Sequence, residues 1–192
     1  MNFPTRTRAS DAIIRNLFTQ LLQGGTASGG ANRCMITVVV TGDIDVPRRA
    51  IISTSGPRLV QGELRTAINN LAGNGVYGGV AYTIVHFSEA NAVVNPRNSG
   101  MATQNYYHVQ GGRHCAEPKA LEAASRFGDK ITGMSTVWWG NNANPYPDPS
   151  NNPDGMFALP CEVCLTNEKW FMKRVEELRI VSKGAVGKAY EI

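Results

Sequence analysis

Apolar side chains at Ile13, Ile14, Leu17, Phe18, Leu21 and Leu22 recur at spacings of three and four, which predicts a helix over residues 10–23 with one apolar face. Ser10 stands at the N-cap position, Asp11 suits the positive end of the helix dipole, and Gly24-Gly25 ends the run. Beyond the linker GGTASGGANR the period changes. CMITVVVTG and RRAIISTSG are dense in β-branched residues and are parted by DIDVP, which predicts two strands and a loop. Cys34, opening the first, is expected to pack as a small apolar residue. Leu64, Ala67, Ile68 and Leu71 restore the helical period as far as GNG, and VAYTIVHFS predicts another strand.

An irregular stretch then runs through NPRNSG to Gly112. From Pro118 to Phe127 the period is helical again, with Ala120, Leu121, Ala124 and Phe127 on one side and Gly128 as the stop. Proline fits a helix's first turn, where a missing N–H costs nothing, so Cys115 and Glu117 fall at the helix start. MSTVWW predicts a strand. GNNANPYPDPSNNPDG is a loop, because its prolines and asparagines break both helix and ladder. CEVCLTNEKWFMKRVEEL is helical, and RIVS predicts a short final strand. The elements are mixed and show no repeat. A length of 192 residues suits one domain over 1–192, with an N-terminal helix and an insertion at about 57–112.

Composition narrows this picture modestly. With 42% hydrophobic and 18% charged residues, the chain falls among ordinary globular proteins. Its longest apolar runs, such as MITVVV, are far below the roughly 20 residues needed to cross a bilayer, and the N-terminus shows no secretory signal, so cytoplasmic action away from membranes is expected. Charge is uneven: eight arginines face four acidic residues up to Arg65, and the remainder balances at eleven against eleven. A basic N-terminal part suits phosphates, and equally suits a plain solvated surface.

Three of the four cysteines lie in HCAEPKA and PCEVC. Cys161 and Cys164, three apart at a helix start, share one face and can chelate one ion. Thiolates are favoured at the positive end of a helix, and Cys115 has the same setting. Brought together, the two helix starts present three thiolates to one Zn2+ and leave a tetrahedral ion one position for water, which is a catalytic rather than a structural arrangement. Glu117, two residues beyond Cys115, is placed to take a proton from that water. Plainer readings stay open: a structural zinc closed by His114, His108 or His86, a redox C-x-x-C pair, or Glu117 as an ordinary helix-start carboxylate.

The ordered set Cys115-Ala116-Glu117, helix, strand, then Pro160-Cys161-Glu162-Val163-Cys164 and helix resembles the cytidine deaminase superfamily. That resemblance implies a three-layer α/β/α fold with a central mixed sheet. It implies Cys115, Cys161 and Cys164 as zinc ligands, with Glu117 as the catalytic proton shuttle. It further implies hydrolytic exchange of a ring amine for a carbonyl, as in cytosine to uracil, with release of ammonia. The ligand two residues before the glutamate is Cys115, and the adjacent His114 is its alternative. Three thiolates over-neutralise Zn2+, so a compensating donor to sulfur is expected from Arg113, His114 or Lys119. Trp138 and Trp139 are candidates for stacking on a base, with Tyr146 and Phe157 behind them, and the long loop is expected to border the site as a lid.

Free-nucleoside deaminases of this superfamily carry N-x-E after the second strand, and the stretch following AIISTSGP lacks it. The Cys-Ala-Glu-Pro motif after an extra helix and strand is similar, loosely, to bacterial polymorphic-toxin deaminases of the YwqJ-like type. This likeness implies a nucleobase substrate in single-stranded DNA or RNA and delivery into a target cell. It also implies an immunity protein as partner. A free nucleoside, nucleotide or base-like small molecule is the alternative substrate, and a non-catalytic module with structural zinc is the alternative to an enzyme.

Overall fold

The computed structural model describes residues 2–23, 34–42, 48–55, 63–77, 79–86, 115–140, 142–150 and 152–189. Its central strand, β1 (Cys34–Thr41), is buried at every position, and a strand covered on both faces accounts for the unbroken apolar run MITVVV. β2 (Arg49–Thr54) and β6 (Ile131–Trp139) flank it, both antiparallel, and β5 (Thr83–His86) runs parallel to β2, giving a mixed sheet ordered β5-β2-β1-β6. β3 (Val76–Tyr77) and β4 (Val80–Ala81) form a separate short hairpin.

Alternate strand positions feed two cores. Ile36, Val38, Val40, Ala50, Ile52 and Val137 pack under α1 (Arg8–Gln23) and α2 (Glu63–Asn74). Val39, Ile51 and Met134 turn the other way, under α3 (Ala116–Arg126) and α5 (Glu168–Ala189), with the one-turn α4 (Glu162–Thr166) preceding α5. The protein is therefore mixed α/β, with helices on both faces of a four-stranded mixed sheet. Cys34 is buried at the head of β1, and burial pushes its thiol up to about 12. Among the described residues no helix is long and apolar enough to cross a membrane.

Three local expectations change. The N-cap of α1 is Thr7, not Ser10: the Ser10 amide donates to Thr7 Oγ1 at 3.2 Å and the Thr7 amide donates to Ser10 Oγ at 3.0 Å. This reciprocal pair satisfies two helix-start donors and sets the start of α1 two residues before Ser10. RIVS is not a strand but part of α5. Phe171, Met172, Val175 and Leu178 continue one apolar face, and Arg179 pairs with Glu176 one turn back, so packing overrides the strand preference of Ile180 and Val181. VAYTIVHFS divides at Tyr82, whose amide donates to the Gly75 carbonyl at 2.6 Å; Val80–Ala81 pairs with β3, Thr83–His86 joins the sheet, and Phe87 and Ser88 lie outside the described residues.

The segment before α1 is built into the fold. Phe3 is buried against Phe171, and its amide donates to Glu168 Oε1 at 2.7 Å. Met134 on β6 donates its amide to the Thr5 carbonyl at 3.1 Å. Thr7 lies so close to Gly133 that a β-carbon there would stand 2.5 Å from its side chain. Gly133→Ala is therefore expected to destabilise the protein by about 1–3 kcal/mol through overpacking against the α1 cap, read as a lower midpoint in urea.

The loop expected to act as a lid is instead tied down. Trp138 and Ala158 exchange backbone bonds with Met156 and Thr136 across the edge of β6, at 3.1 and 2.9 Å. On its outer side the same segment bonds Asp148 and Tyr146, at 3.0 and 2.8 Å. The prolines keep a regular ladder from forming but leave these bonds intact. Arg6 crosses from the N-terminal segment to donate to Asp148 Oδ2 at 3.0 Å, and it also grips both oxygens of Asp11. Burial works to raise the Asp148 carboxyl, but the Ser150 hydroxyl and amide and the Arg6 charge outweigh it and hold it below its ordinary 3.8. Asp148→Asn is expected to cost about 2 kcal/mol at pH 7. A depressed carboxyl stabilises above its unfolded value, so the gap between the two urea curves should close as pH falls below 3.8.

Candidate metal centre

Two helix starts meet on the α3 side of the sheet. Cys115 is the N-cap of α3, in extended conformation and with no side-chain cap bond, so its sulfur is available for another role. Cys161 immediately precedes α4, and Cys164 lies within it, one turn on. Cys115 Sγ is 3.8 Å from Cys161 Sγ, which is 3.5 Å from Cys164 Sγ, and all three sulfurs lie within 4.8 Å of one another. Tetrahedral zinc with thiolates at about 2.3 Å sets its sulfurs about 3.8 Å apart, so the spacing suits one ion. The cysteines are free thiols, and among the described residues this cluster offers three donors, with Cys164 and its neighbours packed into the core.

The thiols hold one another protonated. Hydrogen bonding with Cys161 is the largest influence on Cys115, and with burial and the nearby Glu117 charge it pushes that thiol up to about 12. Cys164 is raised further by Cys115, Cys161 and burial. Three thiolates this close are stable only around a cation, which is the setting a soft divalent metal provides.

Glu117, on the first turn of α3, is buried beside the cluster. Burial pushes its carboxyl up to about 7; its own amide and the Thr136 hydroxyl oppose the rise, and charge on Cys161 adds to it. Thr136 in turn bonds Thr37 across the β1–β6 ladder, hydroxyl to hydroxyl, at 2.8 Å. These two threonines were not among the expected site residues. Strand alternation in MSTVWW could have found one of them, since it puts Met134, Thr136 and Trp138 on a single face and Trp139 on the other.

Trp138 is half-buried near Ala116 and Ala158, and its indole N–H donates to the Asn142 carbonyl at 2.8 Å. Trp139 is buried in the opposite core, under α1 and α2. Phe157 is fully buried, with the Arg6 and Arg15 guanidiniums over its ring, so a base has no access to it. Tyr146 is exposed. Lys119 is buried, and its charge acts on Cys34. Arg113, His114 and His108 lie outside the described residues; His86 ends β5.

Beside the centre is a cavity of about 400 Å3, lined by Phe3, Met134, Thr136, Leu159, Pro160 and Leu165 among others. It shares Thr136 with Glu117 and reaches Pro160, the residue before Cys161. Arg6 and Ser150 also border it, and they equally border a larger open groove where Arg8 and Arg15 lie. Comparison of the chain with protein-family models, with curated proteins and with solved structures finds no match.

Proposed function

We propose that this protein is a zinc-dependent hydrolytic deaminase, converting a cytosine-like base to its uracil-like product in single-stranded nucleic acid, on the α/β/α fold of the cytidine deaminase superfamily. The observation that carries this reading is the gathering of Cys115, Cys161 and Cys164 within 4.8 Å, with buried Glu117 on the same helix start. Cys115, Cys161 and Cys164 would hold the ion. When bound, zinc supplies Lewis acidity that brings water towards ionisation near neutral pH.

The chain's own groups do the remaining work. Glu117, with a carboxyl near 7, is matched both to accept a proton from water and to return it to the departing amine. Water adds to the amine-bearing ring carbon, the carbon–nitrogen bond breaks, and ammonia leaves as the carbonyl forms. The Thr37–Thr136 pair holds the Glu117 carboxylate in place. Trp138, with its N–H already committed to Asn142, offers a substrate only its ring. A polymer substrate is supported by Arg8, which borders the groove next to the smaller cavity; Arg6 and Arg15 there are already paired with Asp11, Asp148 and Asp154. The same reading puts the site of action in the cytoplasm of a target cell and an immunity protein as the partner.

The test is incubation with single-stranded DNA, RNA and free nucleosides, followed by assay for uracil and ammonia. Product from polymer alone supports the proposal, and product from nucleosides alone replaces it with a small-molecule deaminase. No product, together with a zinc spectrum showing four protein ligands, replaces it with a structural module.

A further inference from the structure

Cys115 and Cys161 each stand just before a helix, Cys115 before the three-turn α3 and Cys161 before the one-turn α4. Cys115 is fixed by α3, which packs along β1 and β2, and Cys164 by α4 and the core around it. Cys161 is held on one side by α4, whose Leu165 amide donates to its carbonyl at 3.0 Å, and on the other by the strap Met156–Pro160 that leads to it. Phe157 anchors that strap. Its ring is contacted by two guanidiniums, Arg6 at 3.6 Å and Arg15 at 4.7 Å from the ring centre. Its carbonyl accepts from the Asp148 amide at 3.0 Å and from the Asn144 and Asn152 side chains, both at 2.9 Å, and its amide donates to Asn152 Oδ1 at 3.0 Å.

From this anchor to the sulfur the chain has little freedom. The Ala158 amide is bound to β6, the Leu159 amide is bound to Tyr146, and Pro160 has a fixed φ and no amide to bond. The cations are themselves held, Arg6 by Asp11 and Asp148, and Arg15 by Asp154 at 2.7 Å. Such neutralised guanidiniums keep their flat faces for the ring.

We propose that Arg6, Phe157 and Arg15 form a positioning clamp for Cys161, setting metal affinity from the opposite side of the strap. This rests on the metal-centre part of the function proposed above and not on the reaction. The clamp does not touch the ion; it limits how far Cys161 can drift from Cys115 and Cys164. Outer groups that orient a ligand commonly change metal affinity by about 10- to 100-fold when removed.

The experiment measures zinc affinity by chelator competition, and the cobalt-thiolate charge-transfer band, on the full chain and on Phe157→Leu. Metal-free unfolding midpoints are recorded alongside. Leucine keeps an apolar filling but removes the ring faces. The expected result is affinity lower by about 10- to 100-fold in the folded variant, with roughly a third of the band lost as one thiolate drops away. A merely structural Phe157 would lower the midpoint and leave affinity and band unchanged, which overturns the clamp. Should Phe157→Leu fail to fold, Arg6→Lys decides. It keeps the charge but lacks the flat face, and affinity within twofold of the parent overturns the proposal. A parent chain that binds neither ion overturns both the clamp and the metal centre. A parent that binds zinc without deaminating anything leaves the clamp standing.

Discussion

Glu117→Gln is expected to lower deamination by about 10^2- to 10^4-fold while one zinc per chain is retained. The amide keeps the size and shape of the side chain but can neither take nor return a proton. Because Glu117 is buried, the same change should stabilise the metal-free protein. Burial raises the carboxyl from 4.5 in the unfolded chain to about 7 in the fold, so between these values the native state holds a proton that the unfolded state has released. Stability contributed by this group therefore falls as pH rises through that window, by about 3 kcal/mol in all. Parent and variant should unfold alike below pH 4.5, and the variant should be the more stable at pH 8. A variant that loses zinc, or that keeps its turnover, would remove Glu117 from the chemistry. Equal stability at pH 8 would show that the carboxyl ionises freely.

How much of this was legible in the sequence depends on the range of the contact involved. β1 and α1 announce themselves because burial on two faces or one stripe is written locally, as MITVVV and as the spacing Ile13, Ile14, Leu17, Leu21. The cysteine cluster was legible for a different reason. Cys115 at one helix start and Cys161 and Cys164 at another are a costly set of thiols to bring within 4.8 Å unless a cation joins them. RIVS misled because β-branched residues prefer strands locally, while the face begun by Phe171 carries the helix through them. The strap and its clamp were hidden for the opposite reason. Nothing near Phe157 marks it as the partner of Arg6 and Arg15, more than a hundred residues earlier, and its neighbouring prolines and asparagines read as a free loop. Composition reports that a ladder is broken, not that the segment is loose.

Zinc affinity is expected to rise by at least about a hundredfold for each unit of pH between 6 and 8. Cys115 is pushed up to about 12 and Cys164 further, so in the metal-free protein both are thiols throughout that range. Both must become thiolates to bind, and each proton released adds about tenfold per pH unit. Chelator competition at pH 6, 7 and 8, corrected for the chelator's own protons, measures the slope directly. Cys164→Ser should make the slope shallower by about one proton, because a buried hydroxyl does not ionise here. It should also weaken zinc by about a hundredfold or more through loss of a ligand. Cys34→Ser is the control: its thiol is also raised to about 12, but it lies at the head of β1 among the residues under α1 and α2, so slope and affinity should both hold. A flat pH response in the parent would mean that the three sulfurs do not bind as thiolates, and with it would go the anionic centre on which the role of Glu117 depends.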